Sequence, residues 1–154
     1  MAALEIIDYQ SSYQPDFERL NIEWLEKYFR VEPIDRRVLG DPDRHVLAGG
    51  GQILFARKDS DIVGTVALKH TGDGNYELTK MAVTEAAQGF GVGKALLDAA
   101  IARFRELDGS SMYLESHSSL TVAVGLYERA GFVHEPRPEP SPYERADVYM
   151  VFRG

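Results

Sequence analysis

The chain has 154 residues and no cysteine, so a disulfide framework, a thiolate metal site and a cysteine nucleophile are all excluded. Histidine is scarce: His45, His70, His117 and His134 are scattered, with no pair at helical ligand spacing, and no metal centre is expected. Long apolar runs are also lacking. None approaches the roughly 18 residues of a membrane-crossing helix. The opening MAALEIIDYQ has no basic stretch leading into a long apolar one. A cytoplasmic protein with no membrane partner is the resulting expectation. Positive charge is in short supply, with 17 Lys plus Arg against 24 Asp plus Glu and a formal charge of −7. Such a surface repels a nucleic-acid backbone, so nucleic acid is not expected as a partner. It does not exclude a phosphorylated ligand, which backbone N–H groups can bind locally, and it favours a cationic amine. Linkers, internal repeats and low-complexity tracts are missing too, and the length is that of one domain, taken here as residues 1–154.

The segments between the turn signals read as alternating elements. Leu4 to Asp8 is a short Ile-rich strand, and Ser11 or Ser12 is placed to cap a helix. From Pro15 to Arg30, the residues Phe17, Leu20, Leu25 and Tyr28 recur at three-to-four spacing, which predicts an amphipathic helix. Pro33 to Leu39 predicts a second, short helix stopped by Gly40-Asp41-Pro42. Ile53 to Ala56, Ile62 to Leu68 and Tyr76 to Val83 are separated by Asp-Ser-Asp and Gly-Asp-Gly-Asn turns and predict an antiparallel meander. Helical period then runs from Val92 to about Leu107. A strand at Ser111 to Glu115, a helix at Leu120 to Arg129 ended by Gly131, and strands at Phe132-Val133 and Asp147 to Phe152 complete the chain. Between the last two strands, Glu135 to Pro142 holds four of the seven prolines and reads as a stiff exposed loop.

The most informative segment is QGFGVGKALL, Gln88 to Leu97. Residues without bulky Cβ groups just before a helix let backbone N–H groups converge on phosphate. A Walker A loop would need glycine at Gln88 and Ser or Thr at Ala95. A dinucleotide fingerprint would need glycine at Lys94 and a parallel strand, not a meander, before it. Both fail, leaving a plain tight turn or a different phosphate loop.

The pattern Gln88-x-x-Gly91-x-Gly93, directly after the strand Lys80-Met81-Ala82-Val83, resembles the acyl-CoA signature Q/R-x-x-G-x-G/A of GNAT acetyltransferases. ELTKMAVTEAAQGFGVGKALL resembles motif A of that superfamily, and LYERAGF, Leu126 to Phe132, resembles its motif B. The element order agrees over essentially the whole chain. The resemblance implies an α/β (α+β) GNAT fold: a mixed, mostly antiparallel sheet of six or seven strands flanked by about four helices. It implies acetyl-CoA as co-substrate and no metal. Met81, Ala82 and Val83 would pair their backbone with the pantetheine arm, and Gln88, Gly89, Phe90, Gly91, Val92, Gly93 and Lys94 would hold the pyrophosphate. Physically, a strand edge offers alternating N–H and C=O groups to an amide-bearing arm, and a helix N-terminus favours anions. Many relatives carry an Asn between the two motifs; its counterpart here is His117 or Ser118.

The same resemblance assigns the chemistry, transfer of an acetyl group to a primary amine. Tyr127 maps onto the motif B tyrosine that protonates the departing thiolate, a phenol near ~10 facing a thiol near ~8.5. Glu77, on the strand leading into the cofactor site, is the candidate base; otherwise it is a surface-facing strand carboxylate and the amine arrives already deprotonated. Backbone N–H groups near Met81 to Val83 would polarise the thioester carbonyl. Trp24, Tyr28 and Phe29 belong either to an acceptor pocket or to the core. The proline-rich loop, with Arg137 and Arg145 nearby, is a candidate cover for the acceptor or a homodimer contact. The acceptor itself, a small molecule or a peptide amine, is left open, and the competing reading is a non-catalytic acyl-CoA sensor.

Overall fold

The computed structural model describes residues 4–154. Its strands are β1 (Leu4–Asp8), β2 (Gln52–Lys58), β3 (Asp61–Gly72), β4 (Asn75–Val83), β5 (Ser111–Ser116), β6 (Phe132–His134) and β7 (Val148–Phe152). They form one sheet in the order β1-β2-β3-β4-β5-β7-β6. Every neighbouring pair is antiparallel except β4 with β5. The α-helices among the described residues are α1 (Gln14–Tyr28), α2 (Pro33–Gly40), α3 (Val92–Glu106) and α4 (Thr121–Ala130). This is the mixed, mostly antiparallel α/β sheet with flanking helices that the sequence predicts. None of these helices is long and apolar enough to cross a membrane.

The run Ile53-Leu54-Phe55-Ala56 is apolar without alternation because β2 is covered on both faces. Leu54 and Ala56 join Leu68, Leu78, Met112, Leu114 and Met150 beneath Leu96, Leu97, Ala100 and Phe104 of α3. Ile53 and Phe55 face the other way, against Phe17 and Leu25 of α1 and Val38 and Leu39 of α2. Each such side chain, buried almost completely, contributes about 2 kcal/mol of transfer free energy. The close approach of α3 to the sheet requires Gly64: a Cβ there would lie 2.9 Å from Leu96 Cδ1 and 3.1 Å from Val92 Cγ1.

Helix starts differ from the sequence reading. Ser11–Tyr13 form a 3-10 turn that runs directly into α1, so neither Ser11 nor Ser12 caps it and no side chain does. The cap that does form is on α2, where the Glu32 side chain and the Asp35 side chain reciprocally accept each other's backbone N–H. Gly131 ends α4 in the left-handed region at φ 111°, as its position implies.

Strand β4 carries the irregularity that matters most. Thr65 pairs with Ala82 but Ala67 pairs with Thr79, so Lys80 and Met81 together stand opposite Val66, and Lys80 has φ 55°. This β-bulge shifts the phase of the strand. Before it Tyr76 and Leu78 enter the α3 core, and after it Met81 and Val83 pack against that same core. Without the bulge, Lys80 would alternate in step with Leu78 and point into hydrocarbon.

Candidate active site

β4 and β5 pair only from Asn75–Leu78 to Ser111–Leu114. Beyond that, β4 follows β3 and β5 follows β7, so the two strands diverge in the middle of the sheet. The gap opens a cavity of about 570 Å³ bounded by α1, the start of α3, α4 and the segment before β7. On its β4 side, Met81 to Val83 present backbone to the gap with no strand paired to it there.

The start of α3 closes one end. Gly89 (φ 86°) and Gly91 (φ 79°) adopt the left-handed region, and a Cβ on either would meet nothing within 4 Å. Gly91 is the N-cap, the first turn holds no acidic side chain, and Ala95 N–H makes the first intrahelical bond to Gly91. The preceding N–H groups and the helix dipole therefore form an anion site. The Gln88 side-chain amide donates to Val83 O at 3.1 Å, tying the loop to the end of β4. Lys94 is paired with Asp98 at 2.7 Å.

Of the residues predicted for the site, Glu77, Met81 to Val83, His117, Tyr127 and the loop Gln88 to Lys94 apart from Phe90 line this one cavity. The Phe90 side chain lies outside the lining. It is 71% exposed and turned outward, with Lys58 Nζ 5.1 Å from its ring centroid, so at most its backbone serves the loop. Tyr127, on α4, is buried edge-on to Phe132, and burial pushes its phenol up to about 12. The group is thus held in its protonated, donating form at neutral pH. Between His117 and Ser118, only His117 faces the cavity; its Nδ1 accepts the Ser119 N–H at 3.0 Å, which leaves the proton on Nε2, toward Asp147. Ser118 instead donates its N–H and its hydroxyl to Asp147, each at 2.8 Å.

At the opposite end of the cavity Glu77 and Arg145 meet Glu115, Lys80, Asp35 and Tyr143, for which the sequence reading gave no role. Glu77 is pushed up to about 7, first by burial and then by Glu115, against the opposing charges of Lys80 and Lys69. Glu115 accepts a hydrogen bond from the Ser141 hydroxyl, with Arg137 Nε 3.7 Å away. Lys80 Nζ donates to the Tyr143 hydroxyl at 2.7 Å and lies 3.5 Å from Asp35, which is fully buried. Burial pulls the Lys80 ammonium down, opposed by Asp35. Arg145 grips Asp35 through two nitrogens, at 3.0 and 2.8 Å, and Glu32 at 2.7 Å. Burial opposes ionisation of Asp35, yet Arg145, the Glu32 N–H and Lys80 together hold its carboxyl below the usual range. The proline-rich segment is thereby fastened to the α2 cap and walls the cavity with Tyr143 and Arg145. One signal for Lys80 was present in the sequence: the apolar spacing Tyr76, Leu78, Met81, Val83 breaks strict alternation at that residue. Trp24, Tyr28 and Phe29 also line the cavity, with Trp24 centred 5.4 Å from Tyr28 and 5.6 Å from Phe29, which assigns them to the site wall.

The profile of the acetyltransferase (GNAT) family matches residues 6–132. The chain belongs to this family. A GNAT-family acetyltransferase from Staphylococcus aureus has the same fold, with a TM-score of 0.88 over 97% of this chain and 98% of that one at 24% identity. PaiA N-acetyltransferase from Thermoplasma acidophilum, solved in complex with coenzyme A, superposes with a TM-score of 0.75 over 97% and 98% of the two chains at 16% identity. Among curated relatives, the mycothiol acetyltransferase of Sanguibacter keddieii is 34% identical over 88 residues, 53% of this chain and 28% of that protein. The chain spans 24% to 46% of the length of four of the curated relatives it matches.

Proposed function

We propose that this chain is a single-domain, cytoplasmic N-acetyltransferase that moves an acetyl group from acetyl-CoA directly to a primary amine. The observation that carries the reading is the divergence of β4 from β5 beside the open N-terminus of α3, with Tyr127 and Glu77 lining one continuous cavity. In this reading the free strand edge at Met81 to Val83 receives the pantetheine amides, and the N–H groups from Gly89 to Lys94 receive the pyrophosphate. A residue-free space in front of Gly89 and Gly91 suits that close approach.

The chemistry follows from the positions of two groups. The acceptor ammonium loses one proton to Glu77, and the resulting amine bonds to the acetyl carbon as the carbon–sulfur bond breaks. Tyr127 gives its phenolic proton to the departing sulfur and recovers one from the acylated nitrogen, so protons balance. A carboxylate raised to about 7 by burial and Glu115 is matched to accept a proton at physiological pH. Backbone N–H groups of the bulged segment near Met81 would polarise the carbonyl without a side chain.

The test is calorimetric titration with acetyl-CoA, followed in the same preparation by thiol release over a panel of primary amines. Binding with amine-dependent thiol release is the expected result. Binding without turnover on any amine would replace the enzyme by an acyl-CoA sensor, and no binding would refute the cofactor assignment.

A further inference from the structure

At the Glu77 end of the cavity two carboxylates and two cations line the wall, and of the four charged side chains Glu77 alone is left without a partner. Lys80 spends its ammonium on the Tyr143 hydroxyl and on Asp35. Arg145 spends its guanidinium on Asp35 and Glu32. Asp35 and Glu32 are both buried, so drawing either cation toward a ligand would leave a buried charge without its partner. Glu77, by contrast, makes no hydrogen bond or ion pair among the described residues. Glu115 accepts from the Ser141 hydroxyl through one oxygen and lies 3.7 Å from Arg137 Nε through the other, although Arg137 itself is outside the lining. Lys69, across the strand pair from Glu77, makes no ion pair with it and lies outside the cavity. The other lining cations, Lys94 and Arg129, belong to α3 and α4 on the other face of the sheet. The remaining wall includes the aromatic group Trp24, Tyr28 and Phe29 beside polar Asn21, Thr79 and His117.

From this arrangement we infer that the acceptor is a monocationic primary amine on an uncharged, apolar body, with no carboxylate or phosphate beside the nitrogen. The inference rests on the acetyltransferase reading above and names its substrate class. An ammonium entering this end meets two carboxylates and aromatic faces, each favourable to a cation. A carboxylate on the neighbouring carbon meets the same two carboxylates, while Lys80 and Arg145, the cations of this end, are already bound. The discrimination therefore comes from repulsion built into the wall as much as from attraction.

The experiment compares three acceptors with one body: 2-phenylethylamine, phenylalanine amide and phenylalanine. Thiol release from acetyl-CoA is measured for each, with rates referred to the ammonium form present at the assay pH. We expect phenylethylamine and the amide to be used with kcat/KM at least about 100-fold above the acid. The Glu115→Gln variant should narrow that ratio by about tenfold or more, since it removes one of the two repelling charges. Phenylalanine turned over within tenfold of its amide would overturn the charge argument. Thiol release with lysine or spermidine but with none of the three would overturn the apolar body. Absence of thiol release with every amine would instead defeat the acetyltransferase reading on which this one stands.

Discussion

Glu77 sits between charges of opposite sign, and replacing each in turn should move the pH dependence of the reaction in opposite directions. Only the deprotonated carboxylate can take a proton from the amine, so kcat/KM should rise with pH through a limb centred near the Glu77 value of about 7. Glu77 pairs with Tyr113 on the parallel strand and Glu115 lies two residues further along the same face, which makes the two carboxylates diagonal neighbours at about 7 Å. With an effective dielectric of ~40, between surface and bulk values, Coulomb's law gives about 1.2 kcal/mol for that pair. Since 1.36 kcal/mol corresponds to one pH unit, Glu115→Gln should move the limb down by close to one unit. Lys80→Met removes a charge that favours ionised Glu77 and should move the limb up by a similar amount. The assay is the pH–rate profile of thiol release for the parent and both variants with the same acceptor. The acceptor's own ionisation is then common to all three and drops out of the differences. Limbs that coincide, or that move in the same direction for both substitutions, would refute Glu77 as the titrating base. Tyr113 and Tyr143 also face Glu77, but burial raises both phenols, so they stay neutral across this range.

Three further outcomes are expected. Tyr127→Phe should lower kcat by about 100-fold while leaving acetyl-CoA affinity within twofold; an unchanged single-turnover rate of thiol release would remove Tyr127 as the proton donor. Gly91→Val forces a β-branched residue to φ 79° and fills the open space before α3. It should cost about 1 to 3 kcal/mol of stability and weaken acetyl-CoA binding at least tenfold by calorimetry, whereas parental affinity in a folded variant would detach the loop from the cofactor. Asp35→Asn leaves Lys80 buried without its anion and Arg145 with Glu32 alone, and should destabilise by about 3 kcal/mol in urea unfolding. A loss under about 1 kcal/mol would mean that the cluster contributes little to holding the proline-rich segment in place.

Much of this protein can be read from local pattern. The meander, the helix after the glycine loop and the turn at Gly131 follow from periods of 2 and 3.6 and from residues tolerant of positive φ, which are properties of a few neighbouring residues. The proposed cofactor end rests on a contiguous segment too, since Gln88 to Lys94 form one loop whose resemblance to the acyl-CoA signature needs no distant side chain. Even there, nothing local revealed that Phe90 turns outward. The acceptor end was not legible in this way. Glu115 comes from β5, Asp35 from α2, Tyr143 and Arg145 from the segment before β7, and Lys80 from a bulge. They meet only because β7 inserts between β5 and β6 and carries its preceding loop back to the α2 cap.

Periodicity and turn residues thus determined the order of strands and helices, composition determined the absence of cysteine chemistry, and the resemblance of Gln88 to Lys94 to the acyl-CoA signature supplied the proposed phosphate loop. Tertiary structure alone decided that β4 and β5 part after Leu78 and Leu114, that two cations of the cavity are already neutralised, and that a carboxylate is left free beside an aromatic wall. The physical reason is that charge pairing and burial are properties of neighbours in space. A sequence states which charges a chain carries, and only the packed chain determines which of them remain to meet a substrate.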